Sequence, residues 1–156
     1  MPHQGGLNKF NALQNNFQRI PLDNSDNASS LYLRDLVEGN EDELWIATRD
    51  NGVIKLNERS QQVTSYKNSA TNNNTLSSNV IQSLLFDENN QKLWIGTWGG
   101  GLNSLDITNN KFKRFYQDSG AQQKNGPQTI VSIMKNQQST FWLGTLNGVA
   151  YFDFST

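Results

Sequence analysis

Short apolar runs alternate with polar, turn-rich segments along the whole chain. The most regular run recurs three times, as Leu-Trp-Ile-Ala-Thr, Leu-Trp-Ile-Gly-Thr and Phe-Trp-Leu-Gly-Thr. Its tryptophans lie 49 and 48 residues apart, at Trp45, Trp94 and Trp142. Short apolar runs and turns that repeat every 40 to 50 residues or so are typical of a β-propeller, in which each repeat forms one blade.

Other apolar positions keep the same phase as the tryptophans. Each copy is followed by a glycine that opens a second apolar run, at Gly52, Gly101 and Gly148. Eleven residues after the first two of these glycines the apolar residues Val63 and Phe112 recur, and Phe17 follows Gly6 at the same distance. Because each blade must refill the same core positions, this agreement indicates a structural repeat.

The pattern predicts four strands per repeat, lettered a to d from the propeller axis outward. In the second repeat they cover residues 80–86, 92–97, 102–107 and 111–117. The first repeat runs in the same order from about residue 31 to 67, and the third contains a, b and c. Strand a is nearly continuously apolar, which predicts burial on both faces. The tryptophans are expected to pack between blades.

We therefore predict an all-β fold, a β-propeller fragment of about three four-stranded antiparallel blades. Residues 1–20 are assigned to the end of a preceding blade, with a c-like strand at 6–10 and a d-like strand at 17–20. The blades then cover residues 21–67, 68–117 and 118–156, and the last lacks its outermost strand. Since the chain enters the repeat in mid-blade, we expect it to be a piece of a longer protein.

Composition excludes several classes of function. The chain has 156 residues and a formal net charge of −1, so it lacks the basic surface expected for nucleic-acid binding. It contains no cysteine, which excludes disulfides and thiolate metal sites. No apolar stretch of 18 residues is present, and the N-terminus lacks the apolar region of a signal peptide.

Three motifs resemble chemical sites and are better explained otherwise. The acidic stretch from Asp23 has Ala28 where a calcium loop needs glycine, and Arg34 where it needs a bidentate glutamate. The glycines at positions 99–101 lie between two strands without a following helix, which favours a tight turn over a phosphate loop. The single histidine, His3, excludes Ser-His-Asp and multi-histidine metal chemistry. We predict no catalytic residue, metal or cofactor.

Propeller topology places the b–c turns and the long d-to-a crossovers on one face. Long loops on a rigid scaffold commonly carry binding groups. The b–c turns bring Arg49, Asp50 and Trp98 to this face, where the Trp98 ring could stack on a sugar or fill a structural position of the repeat.

An acid on an innermost strand offers a second candidate. Asp35 stands where Ser83 and Ser132 stand in the other repeats, so its carboxylate could bind a ligand near the axis or hydrogen-bond a neighbouring blade. The predicted ligand-face residues are Arg34, Asp35, Arg49, Asp50 and Trp98.

The second repeat resembles a known family. The run from Leu93 to Asp106, Leu-Trp-Ile-Gly-Thr-Trp-Gly-Gly-Gly-Leu-Asn-Ser-Leu-Asp, is similar to the two-component regulator propeller repeat, as is the run Asn-Thr-Leu-Ser-Ser-Asn-Val-Ile from Asn74. The first repeat departs from the family pattern at Ala47, where glycine is usual. Such repeats form the sensor propellers of bacterial hybrid histidine kinases and of related diguanylate cyclase receptors.

The resemblance implies a non-catalytic, ligand-sensing module in the periplasmic part of an inner-membrane receptor. Its partners would be an unknown small molecule or oligosaccharide and the neighbouring propeller blades of the full-length receptor. The alternative is a propeller enzyme or carbohydrate-binding module acting on polysaccharide. Hydrolysis would need paired carboxylates in the central cleft, which only Asp35 and Asp50 could contribute.

Assembly is the last expectation. Propellers need about four blades or more to close. We expect a homodimer in which the d-like strand at 17–20 of one copy completes the third blade of the other. The c-like strand at 6–10 would then be displaced or disordered.

Overall fold

The computed structural model describes residues 6–22, 31–115 and 126–155. In these residues 13 β-strands form four antiparallel sheets, which confirms the predicted all-β fold. A single 3-10 turn covers Glu88–Asn90. The strands are β1 Leu7–Asn11, β2 Asn16–Ile20, β3 Leu33–Glu38, β4 Glu43–Thr48, β5 Val53–Asn57, β6 Val63–Tyr66, β7 Ile81–Asp87, β8 Lys92–Thr97, β9 Leu102–Asp106, β10 Lys111–Phe115, β11 Ile130–Gln137, β12 Thr140–Thr145 and β13 Gly148–Asp153.

Strands that follow one another in the chain are neighbours in each sheet. Blade 1 contains β3 to β6, blade 2 contains β7 to β10, and blade 3 contains β11 to β13. Strands β1 and β2 form a separate two-stranded sheet, the N-terminal hairpin. The predicted fragment of about three antiparallel blades is therefore confirmed.

Aromatic and aliphatic side chains fill the spaces between blades. We call the side of each sheet that carries the repeat tryptophan its tryptophan face. Trp45 of blade 1 is buried in one cluster with Leu93 and Leu105 of blade 2. Trp94 of blade 2 lies edge-on to Phe141 of blade 3, with ring centroids 4.8 Å apart. The tryptophan faces of blades 1 and 2 thus pack against the opposite face of the next blade.

The N-terminal hairpin covers the opposite face of blade 1. Leu7 and Ile20 pack against a buried cluster that includes Ile46, Ile54 and Leu56. Leu7 is also the register partner of Ile20, and β1 and β2 pair along their whole length. In the single chain, both the pairing and the packing of Leu7 hold the strand at 6–10, and its displacement in a homodimer stays a prediction.

Burial of the inner strands differs from the prediction. Strand β7 is largely buried, whereas β3 alternates between half-buried and exposed residues and β11 is mostly exposed. Only β7 has a described inner strand on both sides. For the same reason Trp142 does not pack between blades as expected: it is exposed and contacts Tyr151 of its own sheet.

Some expectations concern parts of the chain outside the described residues. These parts include His3 and the stretch from Asp23 to Ala28 that was compared with a calcium loop. Within the described ranges, no helix is long and apolar enough to cross a membrane.

Candidate functional site

The b–c turns close in the same way in all three blades. A threonine hydroxyl at the end of strand b donates to the carbonyl of a glycine that directly precedes or begins strand c. The distances are 2.7 Å from Thr48 to Gly52, 2.8 Å from Thr97 to Gly101 and 2.8 Å from Thr145 to Gly148. All three glycines have a positive φ, which residues with a side chain rarely adopt.

Backbone hydrogen bonds join these turns to the crossovers. In blade 1, Arg49 N donates to Tyr32 O and Gly52 N donates to Asn79 O, both at 2.9 Å. In blade 2, Trp98 N donates to Val80 O at 2.9 Å. Because residues 79 and 80 are adjacent, the turns of blades 1 and 2 flank the same end of one crossover. The turns and the crossover ends therefore share one surface, the loop face.

Polar and aromatic side chains cluster at the turn of blade 1. The Arg49 guanidinium lies over the Tyr32 ring, 5.4 Å from its centroid. Asp50 accepts a 2.8 Å hydrogen bond from the Asn51 amide, whose oxygen accepts from Lys67 at 3.2 Å. We call these five residues, with Trp98 of blade 2, the loop-face site.

Trp98 lies in the glycine-rich turn of blade 2 and is half exposed. Its backbone is held by Val80 O, and the next amide, Gly99 N, donates to Thr129 Oγ1 at 3.1 Å. The turn leads into strand β9 and not into a helix, so the glycines form a tight turn, as predicted. The indole is thus presented to solvent from a fixed backbone.

The Asp35 side chain makes structural hydrogen bonds within its own strand and to blade 2. Its carboxylate accepts hydrogen bonds from Leu36 N at 2.9 Å and from Leu84 N of blade 2 at 2.8 Å. Of the two roles left open by the sequence, this geometry assigns the contact with a neighbouring blade. Arg34 is exposed, at the irregularity in register between Leu33 and Asp35. Arg49, Asp50 and Trp98 therefore lie in turns that are bonded to adjacent residues of one crossover, whereas Asp35 lies between two inner strands.

The crossover before blade 2 is anchored by residues that the sequence did not single out. Buried Asn103 exchanges hydrogen bonds with Ser77, donating to its hydroxyl at 2.7 Å and accepting from its backbone at 2.9 Å. Arg114 donates to Thr75 O at 2.8 Å and to Leu76 O at 2.9 Å. An asparagine inside a strand that was predicted to be buried was the available signal, because such a side chain needs a hydrogen-bond partner.

No metal site is evident in residues 6–22, 31–115 and 126–155. In these ranges no group of three or more histidine, cysteine, aspartate or glutamate residues could hold an ion. The arrangement on the loop face instead suits a polar ligand with an apolar surface, since it combines aromatic rings with hydrogen-bonding groups of both charges.

One segment of the chain matches a protein family. It runs from the anchored crossover, through strand β8, to the start of the following turn. Residues 75–99 match the family described as two component regulator propeller. Over this segment the chain is similar to the two component regulator propeller repeat. The predicted resemblance is confirmed for these residues, in which Leu76 and Trp94 are buried and the Thr97 hydroxyl closes the turn.

Solved structures with the same fold include extracellular domains of putative regulatory systems. The extracellular domain of the putative hybrid two component system BT3049 from B. thetaiotaomicron superimposes with a TM-score of 0.79 and 18% identity. It is matched over 96% of this chain and 21% of its own. The extracellular domain of the putative one component system BT4673 from the same organism superimposes with a TM-score of 0.74 and 23% identity. The match covers 98% of this chain and 20% of that domain.

A third match is more distant. The β-propeller domain of Cps50 (Swd1) from Myceliophteria thermophila gives a TM-score of 0.57 at 13% identity, over 80% of this chain and 36% of its own. A search of curated protein sequences finds no match. The chain spans about a fifth of the length of the two regulator domains, and at these identities the likeness establishes the propeller fold.

Proposed function

We propose that this chain is a non-catalytic sensing module whose loop-face site binds a small polar ligand, an oligosaccharide being the favoured class. One observation carries the proposal. The ring of Tyr32, which contacts Arg49, and the exposed ring of Trp98 lie with Arg49 and Asp50 on a loop face whose turns are fixed by backbone hydrogen bonds. Aromatic faces pack on the C–H surface of a sugar, while charged and amide groups bind its hydroxyls.

The charges of the loop-face site indicate which oligosaccharides it would favour. The loop-face site contains two cations, Arg49 and Lys67, and one carboxylate, Asp50, whereas the whole chain has a net charge of −1. The net positive charge of these three side chains favours a ligand with an acidic group, such as a uronic acid.

Two observations support sensing over catalysis. The inner-strand carboxylate of Asp35 is occupied by two backbone N–H groups, and polysaccharide hydrolysis requires a pair of carboxylates that face the substrate. The regulator structures of the same fold are extracellular domains of putative two component and one component systems. We therefore place the module in the periplasmic part of a bacterial receptor, with a kinase or cyclase output elsewhere in a longer chain.

Binding to an array of defined neutral and uronic-acid oligosaccharides tests the proposal. Trp98→Ala and Arg49→Ala should each weaken the affinity for a captured sugar about tenfold, which corresponds to one lost contact of about 1.4 kcal/mol. The melting temperature should change little, since both side chains are exposed. Asn89→Ala and Asn109→Ala are controls in turns of the other face and should leave affinity unchanged.

Two results would contradict the proposal. A loss of affinity confined to the Asn89 and Asn109 variants would move the site to the other face. Hydrolysis of an array sugar that Asp35→Asn abolishes would replace the sensing module with a polysaccharide-degrading enzyme.

A further inference from the structure

Two exposed aromatic patches lie at opposite ends of the row of blades. On the tryptophan face of blade 3, Trp142 is 40% exposed and Tyr151 is 51% exposed, with ring centroids 5.0 Å apart. On the N-terminal hairpin, Phe10 is 50% exposed and Phe17 is 72% exposed, with centroids 4.9 Å apart. Neither patch belongs to the loop-face site.

Strand register identifies the equivalent of the first patch. Trp142 pairs with Tyr151 on strand c, just as Trp94 of blade 2 pairs with Ser104. The exposed patch of blade 3 is therefore the same surface that blade 2 buries against its neighbour. In blade 2 this surface holds the ring of Trp94 5.8 Å from that of Phe152, edge to face.

Register also identifies the equivalent of the second patch. The pairing of Phe10 with Phe17 in the hairpin corresponds to the pairing of Leu105 with Phe112 in blade 2. In blade 3 the same strand c position is Phe152, which pairs with Phe141 as Leu105 pairs with Leu93. Hairpin residue Phe10 thus occupies the position whose equivalents are buried in the other blades.

Inside the chain these two kinds of surface always meet. Leu105 lies in the same buried cluster as Trp45, and Phe152 contacts Trp94. The Phe112 ring packs on Tyr66 of blade 1, with centroids 6.0 Å apart. The chain therefore packs a tryptophan face against the opposite face of a neighbouring blade twice. A further tryptophan face is exposed on blade 3, and a further opposite face is exposed on the N-terminal hairpin.

We propose that the Trp142–Tyr151 patch of one copy binds the Phe10–Phe17 patch of a second copy, head to tail. A second copy is the occupant because the chain itself supplies the complementary half, in the geometry of the Trp94–Phe152 contact. Such a heterologous contact closes into a ring or continues as a chain of copies. The N-terminal hairpin stays intact in this complex, in contrast to the donation of a single strand expected from the sequence.

Light scattering of the 156-residue chain after size-exclusion chromatography tests the contact. The wild type should associate at micromolar concentration. Tyr151→Lys and Phe17→Lys each place a charge in one patch, where burial without a partner is unfavourable, and each should weaken association at least tenfold. Because each variant keeps the other half, an equimolar mixture of the two should form a heterodimer through the remaining intact pair of patches.

The matched control is Leu13→Lys. Leu13 is fully exposed in the hairpin turn, outside both patches, so this variant should associate as the wild type does. At concentrations too low for the wild type to associate, the melting curves of all three variants should match that of the wild type. A wild-type chain that stays monomeric would overturn the proposal. So would undiminished association of Phe17→Lys, which would mean that the Trp142 patch pairs with itself.

A disulfide staple separates docking from strand donation. Lys9 and Gln18 are register partners in the hairpin, and the chain has no native cysteine to compete. The double variant Lys9→Cys/Gln18→Cys, once oxidised, locks β1 to β2. Association that persists supports docking of the intact hairpin, whereas association lost on oxidation and regained on reduction would overturn it in favour of strand donation.

Discussion

At the scale of single residues, the tryptophans show that environment is set by neighbouring blades more than by local sequence. Trp94 and Trp142 follow the same repeat pattern, yet Trp94 is buried by Phe141 and Phe152 while Trp142 is exposed. Trp98, four residues after Trp94, lies in a turn and is half exposed. The role of each indole therefore follows from what stands opposite it.

This difference predicts unequal costs of truncation. Trp94→Ala should lower the free energy of unfolding by about 3–5 kcal/mol, because it removes a fully buried ring and leaves a cavity. Trp98→Ala should cost far less, since half of its ring already faces water. Thermal or urea denaturation of the two variants measures both. The reverse ranking would mean that the turn and the strand have been assigned wrongly.

Part of the candidate site could be predicted from residue positions alone. Arg49, Asp50 and Trp98 were found because the repeat locates the b–c turns. The role of Asp35 could not be decided, since its hydrogen bond to Leu84 N crosses to another blade. Tyr32, Asn51 and Lys67 were not singled out; Tyr32 and Lys67 lie in crossovers, whose sequences do not follow the repeat.

At the scale of elements, the turns depend on glycine for two separable reasons. Gly52 and Gly99 both have a positive φ, of 74° and 76°. A Cβ at Gly52 would also overlap the carbonyl oxygen of Tyr66, whereas a Cβ at Gly99 would meet no atom within 4 Å. A side chain at either position would strain the backbone in the same way, but only at Gly52 would it also collide with a neighbouring atom.

The matched pair of alanine variants should separate these terms. Gly99→Ala should cost about 1–2 kcal/mol from the left-handed conformation alone. Gly52→Ala should cost about 3 kcal/mol or more, because steric overlap is added and the backbone of Tyr66 must move. Chemical denaturation measures the difference. Equal costs would show that the first turn has room to relax.

At the scale of the whole molecule, polar contacts tie the inner strands together across blades. Asp35 joins blade 1 to blade 2. Lys135 of blade 3 donates to the buried carboxylate of Asp87 in blade 2 at 2.7 Å, and Asn90 donates to the same carboxylate at 2.7 Å. Burial opposes ionisation of Asp87, but these hydrogen bonds and the charge of Lys135 outweigh it and hold the pKa of Asp87 below its usual value.

A lowered pKa predicts a loss of stability in acid. The folded state binds this proton less readily than the unfolded state, so the contribution of Asp87 is complete above the unfolded pKa, near 4. It is lost as the pH falls from there through the folded pKa. The melting temperature of the wild type should therefore fall more steeply below about pH 4 than that of Asp87→Asn. Parallel pH profiles would show that the ion pair contributes nothing.

The fold as a whole could largely be predicted because the same apolar pattern occurs in each repeat, so that each copy supports the strand assignment of the others. Strands β8 and β9 were located to within a residue from the phase of Trp94 and Gly101. What surrounds a blade could not be predicted, since a continuous apolar pattern in strand a says nothing about whether a neighbour is present. The exposed side chains of β11 are the result.

The same threonine-to-glycine hydrogen bond closes each b–c turn, so the ends of the three turns are structurally equivalent. Thr48 and Thr97 each span four residues to their glycine, and Thr145 spans three, with the same closing bond. Residues between the two anchors can therefore differ in length and chemistry without disturbing the strands. A protein built from several such blades can therefore carry a different set of side chains in each turn while its strands stay the same.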